Sequence, residues 1–342
     1  MNLDAARVTP MHEPPANKAL QFFERTALPD DAEKVPARLW ETALLDPGRS
    51  FLARSGKAFR ACLVELGWAL GGGIGPCPDA LTQVVELLHA GSLIVDDIED
   101  ASTMRRGGPA LHVSHGMPRA LNLGNMLYFQ ALALLPHASV EPSVVLSLQT
   151  RAIDTLLRCH QGQALDLTAR VDQLAMAEVG NVVRATTRLK TGALMSFAAA
   201  SGALAAGASP VRVQAIAAFG ELLGCALQML DDLSGIVNPE RADKGEEDLR
   251  EGRPTWCWAW LAEEGGDEVS FARLVHRLRD VRAGGDAAAL AGALRARVEV
   301  HGRALTSAHL AMSFSGLRRA VGDHPALSVA RAEIERLAAS YL

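Results

Sequence analysis

The acids Asp96-Asp97-Ile98-Glu99-Asp100 stand out first in this sequence. Asp96 and Asp100 are four apart, so on a helix they project from one face. Two carboxylates that close repel each other, and a hard divalent cation bridging them removes the repulsion. Oxygen ligands suit magnesium, which keeps waters and takes substrate phosphates as its remaining ligands. A diphosphate is the natural partner of such a pair. A second pair, Asp231-Asp232, repeats the arrangement. Each pair follows an apolar run: Val84, Val85, Leu87, Leu88, Leu93, Ile94 and Val95 before the first, and Ile216 to Leu230 before the second. One acidic cluster is often a solvated turn. Two clusters that close buried helices need compensating cations, which makes the solvated turn the weaker reading.

Basic residues supply the other half of that chemistry. Lys57 and Arg60 are three apart, on one helical face. Arg105 and Arg106 follow the first acids by one to two turns, and Lys190-Thr191-Gly192 and Lys244 add further cations. Guanidinium forks bind diphosphate oxygens bidentately, and lysines act as point charges. Any one of these is more often a surface residue. As a group, beside acids that must share an anion, they point to diphosphate binding.

The elements that must position these residues are helical. Hydrophobic residues make up 49% of the 342 and charged residues 21%, a globular balance. Ala, Leu, Arg and Glu dominate, and no β alternation survives a template count. Breaks fall at Gly71-Gly72-Gly73 with Pro76 and Pro78, at Gly107-Gly108-Pro109, and from Pro136 to Pro142. Others fall at Ser209-Pro210, between Asn238 and Pro254, and at Gly284-Gly285. Ser209 can cap a helix whose first residue is Pro210, and that helix should end in Asp231-Asp232. Residues 1–17 read as a mobile tail and 18–342 as one all-α domain, a bundle of about ten or more helices around a deep central cavity. The net charge of −5 argues against a nucleic-acid partner. Five scattered cysteines with no CxxC pair suggest a reducing, cytoplasmic setting. No signal peptide is evident, and no stretch of about 20 residues reads as apolar enough to span a bilayer.

From roughly Ser55 to Trp256 the motifs, in their order, resemble those of the trans-prenyltransferases, the farnesyl and geranylgeranyl diphosphate synthase family. They are Gly56-Lys57-Ala58-Phe59-Arg60, His89 to Val95 before the first acids, and Arg105-Arg106-Gly107 after them. Gly162 to Asp166, Lys190-Thr191-Gly192 and Gln228 to Asp232 follow. Lys244 to Asp248 with Gly252-Arg253-Pro254-Thr255-Trp256 completes the series. The resemblance implies the isoprenoid synthase type I fold, a homodimer, and condensation of isopentenyl diphosphate with an allylic diphosphate. It implies that Asp96 and Asp100 hold two magnesium ions on the allylic diphosphate, and Asp231 a third from the opposite wall. Arg105, Lys190 and Lys244 would bind that diphosphate. Lys57, Arg60, His89 and Arg106 would bind isopentenyl diphosphate, and Gln228 and Thr191 would place dipoles near the developing carbocation.

Two departures accompany the resemblance. The second acid motif reads Asp231-Asp232-Leu233-Ser234-Gly235, with no carboxylate at the fifth position, and Arg253 replaces the usual Lys. Small residues at Gly91 and Ser92, where farnesyl synthases tend to carry aromatics, resemble the geranylgeranyl group. By the same resemblance Tyr128, Phe129 and His160 would form the tunnel floor and stop growth near 20 carbons. Farnesyl diphosphate synthase is the alternative within the family. A class I terpene cyclase is a rival, but its second motif would need Ser/Thr and Glu where Gly235 and Pro239 stand, and Lys57, Arg60 and Arg106 would lack a task. A non-catalytic subunit typically loses the first acid motif, which is intact here. A purely structural bundle leaves two acid clusters unexplained.

Overall fold

Proline opens two helices where breaks were expected, at Pro142 and at Pro210. A computed structural model of the chain describes residues 18–54, 59–263 and 268–341. The expected tail, 1–17, and Lys57 lie outside the described residues. In chain order the helices are α1 (Lys18–Thr26), α2 (Ala37–Trp40), α3 (Asp46–Leu52), α4 (Phe59–Gly71), α5 (Asp79–Glu99), α6 (Leu111–His115), α7 (Met117–Leu134) and α8 (Pro142–Thr168). Then come α9 (Met176–Thr187), α10 (Ala193–Ala205), α11 (Pro210–Val237), α12 (Ala242–Glu251), α13 (Trp256–Glu263), α14 (Glu268–Arg282), α15 (Ala287–Val321) and α16 (Pro325–Ala339). Pro142, Pro210 and Pro325 are first helical residues, where a missing N–H costs nothing. The Ser209 hydroxyl accepts from the Arg212 N–H at 3.4 Å, as a cap should. Among the described residues the only strands are β1 (Met104–Arg105) and β2 (Gly108–Pro109), an antiparallel hairpin.

By contacts the chain divides into two compact units. Unit 1 is Met1–Ala152 with Ala198–Val213, and unit 2 is Ile153–Phe197 with Gln214–Leu342. In unit 1, α5 packs against α7 and α4. Leu81, Val84, Val85, Leu87, Leu88 and Ile94 of α5 are buried. Each such side chain contributes about 1.5–3 kcal/mol relative to exposure. The α5–α7 crossing is close at Gly91, where a Cβ would stand 2.7 Å from the carbonyl oxygen of Gly124.

Unit 2 has its core around α13, whose Trp256, Trp258 and Trp260 are all buried. The Trp258 and Phe271 rings meet edge to face, with centroids 6.2 Å apart. Met229 and Leu233 of α11 join the same cluster. Two expectations need correction here. The acids Asp231 and Asp232 do not end α11, which runs on to Val237 and carries Leu233 and Val237 into the core. Continuing the helix buries two more apolar side chains. Also, α11 is by length and composition apolar enough to cross a membrane, and 61% of its most apolar window is buried inside the protein, as in a core helix.

Candidate active site: two sets of charged side chains

In unit 1 the first acids occupy the last turn of α5. Asp97 faces inward and is fully buried. The Arg105 Nε donates to its Oδ1 at 2.8 Å. Burial still pushes the Asp97 carboxyl up, against Arg105. Burial pulls Arg105 down, but Asp97, Asp96 and Asp100 together raise it. The resemblance assigned Arg105 to diphosphate binding; here its guanidinium is held by the middle acid. Asp96 and Asp100, at the first and fifth positions, are half-buried, and the Asp100 N–H donates to the Asp96 carbonyl at 2.8 Å. The last turn of α5 therefore buries Asp97 completely and leaves Asp96 and Asp100 half-buried and Glu99 exposed.

A cationic group surrounds the middle of α5. Arg60 stands in the first turn of α4, Glu86 and His89 are three apart on α5, and Arg106 is on the hairpin turn. Burial, then Arg60, Arg106 and Arg105, push the His89 imidazole well below its usual range. It is therefore neutral at pH 7. Burial also pushes Glu86 up, although Arg60 and Arg106 oppose it. With Arg105 held by Asp97, the guanidiniums of Arg60 and Arg106 beside one reluctant carboxylate, Glu86, still leave an excess of positive charge, which suits a bound anion.

The chain-length candidates separate. Gly91 faces α7, with Tyr128 Cε1 3.2 Å from where its Cβ would be. Its smallness has a packing cause. Ser92 is half-buried, and its hydroxyl turns back to the His89 carbonyl at 2.9 Å. Tyr128 is half-buried, whereas Phe129 is 71% exposed. Tyr128 and Phe129 thus differ in exposure within unit 1.

In unit 2 a π turn, Arg188–Gly192, joins α9 to α10 and presents Lys190 and Thr191. Lys190 Nζ donates to Asp166 Oδ2 at 2.7 Å, and Arg253 lies 3.5 Å from the same oxygen. The Thr191 hydroxyl donates to Gln228 Oε1 at 3.1 Å, and Gln228 Nε2 donates to Asp232 Oδ1 at 2.8 Å. The other Asp232 oxygen accepts the Trp256 N–H at 2.8 Å, at the start of α13. Burial pushes the Asp232 carboxyl up to about 6, against those two donors. Asp232 thus serves the fold, as a cap on α13. Asp231 is engaged by Arg241 and Lys244, one on each oxygen. Burial would raise its carboxyl, but Lys244 and Arg241 hold it below the usual range. Burial pushes Asp248 up to about 7, although Lys244 opposes it. His160 is exposed on α8, its Nδ1 2.9 Å from the Leu156 carbonyl.

The missing carboxylate at Gly235 has a physical reason. α12 crosses α11 there, and a Cβ on Gly235 would stand 2.9 Å from the Cα of Gly245. Sequence reasoning missed Arg241 and Glu86. It gave no role to Asp166 and Asp248, which stand inside the motif segments Gly162 to Asp166 and Lys244 to Asp248. Arg241 had a local signal, being three residues before Lys244.

These donors suit magnesium of one kind. Among the described residues no three His, Cys, Asp or Glu gather as a ready-made cage. Magnesium needs no cage, because one or two carboxylates suffice when phosphates and waters complete the shell. Asp96 and Asp100 fit that description. Asp97, locked on Arg105, does not.

A family model described as Polyprenyl synthetase matches residues 41–279. The chain is 30% identical over 260 residues to the geranylgeranyl pyrophosphate synthase of Fusarium fujikuroi, covering 73% of this chain and 56% of that one. It is 31% identical over 207 residues to the geranylgeranyl diphosphate synthase of Sulfolobus acidocaldarius, covering 58% and 61%. The chain thus spans under two thirds of the length of these curated relatives. Among solved structures, the heptaprenyl diphosphate synthase of Staphylococcus aureus superposes with a TM-score of 0.76 at 18% identity, covering 94% of this chain and 96% of that one. That likeness is one of fold.

Proposed function

The chain belongs to the polyprenyl synthetase family, with the all-α fold of the isoprenoid synthases, and from that premise we propose that it is a chain-elongating trans-prenyltransferase. It joins isopentenyl diphosphate to an allylic diphosphate, and its product is geranylgeranyl diphosphate. The observation that carries the reading is the last turn of α5. Asp97 is buried on Arg105, and Asp96 and Asp100, one turn apart on the same helix, are half-buried.

Each residue then has a task. Asp96 and Asp100 would hold magnesium for the allylic diphosphate, and Asp231, which is paired with Arg241 and Lys244, would hold a third ion. Magnesium, when bound, supplies positive charge to the departing diphosphate. Arg105, Lys190 and Lys244 neutralise the remaining oxygens, so the allylic C–O bond can ionise. Lys57, Arg60, Arg106 and the neutral His89 orient isopentenyl diphosphate, whose double bond attacks the allylic carbon. The Thr191–Gln228 pair offers dipoles to the cation. The released diphosphate takes the proton lost in forming the new double bond, so no side chain need act as base.

The C20 assignment is supported by what the relatives make, by their names, and by half-buried Ser92 and Tyr128. The same reading includes a homodimer. Met117, Leu121 and Phe129 of α7 are exposed apolar side chains that a second copy would cover. A cytoplasmic location also belongs to it and accords with five free thiols.

The test is direct. Purified protein is incubated with isopentenyl diphosphate, magnesium and each allylic primer in turn, and the products are sized. A C20 diphosphate is expected. A C15 product would move the assignment to farnesyl diphosphate. A hydrocarbon released from geranylgeranyl diphosphate alone would replace it with a cyclase.

A further inference from the structure

The hairpin that carries Arg105 and Arg106 is held by a residue that no motif includes. Arg106 and Gly107 form its two-residue turn, with φ of +51° and +74°. Positive φ at both positions is the type I′ geometry, which favours Asn-Gly or Gly-Gly over an Arg. Something must hold Arg106 in that conformation. The Arg54 guanidinium reaches both strands: its Nη1 donates to the Arg105 carbonyl at 3.0 Å and to the Pro109 carbonyl at 2.8 Å. Its Nε donates to the Ser50 carbonyl at 3.0 Å, which anchors it to α3. The guanidinium lies against Gly108, where an added Cβ would stand 3.2 Å from its Cζ. The Arg54 carbonyl in turn accepts from Arg106 Nη1 at 3.4 Å, and the Arg106 guanidinium is 6.0 Å from the centre of the Phe51 ring.

We propose that Arg54 is a positioning residue, a clasp across both strands of the hairpin that sets Arg106 for the diphosphate of the non-allylic substrate. Arg105 has its own anchor on Asp97, so losing the clasp displaces Arg106 more than Arg105. The signature is therefore asymmetric between the two substrates. The proposal rests on the prenyltransferase reading above.

Steady-state kinetics on the full chain test it, with Arg54→Ala, Arg54→Lys and Gly108→Ala. In Arg54→Ala, KM for isopentenyl diphosphate rises about tenfold to a hundredfold, the scale at which misplaced binding groups act. KM for the allylic primer changes little. Arg54→Lys, which keeps a charged donor, recovers part of the loss. Gly108→Ala leaves every charge in place, crowds the guanidinium and shifts the same constant the same way. Hydrogen exchange at the Ala110 amide, bonded to the Thr103 carbonyl at 2.9 Å, quickens in Arg54→Ala. Equal loss for both substrates without recovery in Arg54→Lys would overturn the proposal, as would an unmoved KM for isopentenyl diphosphate in Arg54→Lys and Gly108→Ala. Should the wild type make no condensed product, the prenyltransferase reading fails by itself. The clasp is then judged by calorimetry with inorganic pyrophosphate: weaker binding by Arg54→Lys and Gly108→Ala supports it, and unchanged binding removes it.

Discussion

At the scale of single residues, the structure separates positions that look equivalent in the sequence. Gly91 and Ser92 both read as small residues that leave room for a growing chain. Yet a Cβ at Gly91 already meets the Gly124 carbonyl oxygen at 2.7 Å, whereas Ser92 is half-buried with its hydroxyl on the helix backbone. An aromatic at Ser92 should shorten the product toward C15 with little loss of stability. An aromatic at Gly91 should force α5 from α7, costing about 1–3 kcal/mol or more. Product sizing and thermal melts of Ser92→Phe and Gly91→Phe separate the two. A Ser92→Phe enzyme that still makes the wild-type length would remove Ser92 from the chain-length set. The acids sort in a similar way. Type and spacing singled out Asp96 and Asp100, which are half-buried at the end of α5. Spacing could not show that Asp97 is fully buried against Arg105, because that depends on a hairpin folding back over α5.

At the scale of elements, most of the helical order was legible, because Pro and Gly act locally. The breaks at Gly71, Pro142 and Pro210 coincide with helix ends or starts. Three features were not legible, for different reasons. Strands of two residues are too short for any alternation to register, so the hairpin was read only as a break. The π turn at Arg188–Gly192 is a local insertion in a continuous helical pattern, which a 3.6-residue period does not reveal. The end of α11 was placed at the acids, but Leu233 and Val237 extend its buried face. The Gly235–Gly245 crossing also accounts for the departure in the second acid motif. Restoring a carboxylate with Gly235→Asp should push α12 off α11 and destabilise the protein by about 1–3 kcal/mol. Thermal melts measure this. An unchanged Tm would mean that the crossing tolerates a side chain and that the missing acid needs another cause.

At the scale of the whole molecule, the charge set of each unit carries a thermodynamic expectation. Lys190 and Lys244 are engaged by acids, and Arg60, Arg106 and Arg105 act electrostatically on His89. An anion that arrives with magnesium satisfies acids and bases together. Inorganic pyrophosphate and magnesium added together should therefore raise Tm more than the sum of each alone. At a ligand concentration of 100 Kd the gain is about 2.7 kcal/mol. Chelation should return Tm to its starting value, and purely additive shifts would count against the proposed binding of diphosphate through magnesium. The inward turn of the second acid in each pair also bears on how such a sequence changes over time. Asp97 is bound to Arg105, and Asp232 caps α13. Both are constrained by folding, whether or not any reaction takes place. A descendant that abandoned the chemistry would be free to change Asp96, Asp100 and Asp231 while still keeping Asp97 and Asp232. In a distant descendant, the second letter of each motif would record ancestry, and Asp96, Asp100 and Asp231 would record whether the trade is still practised.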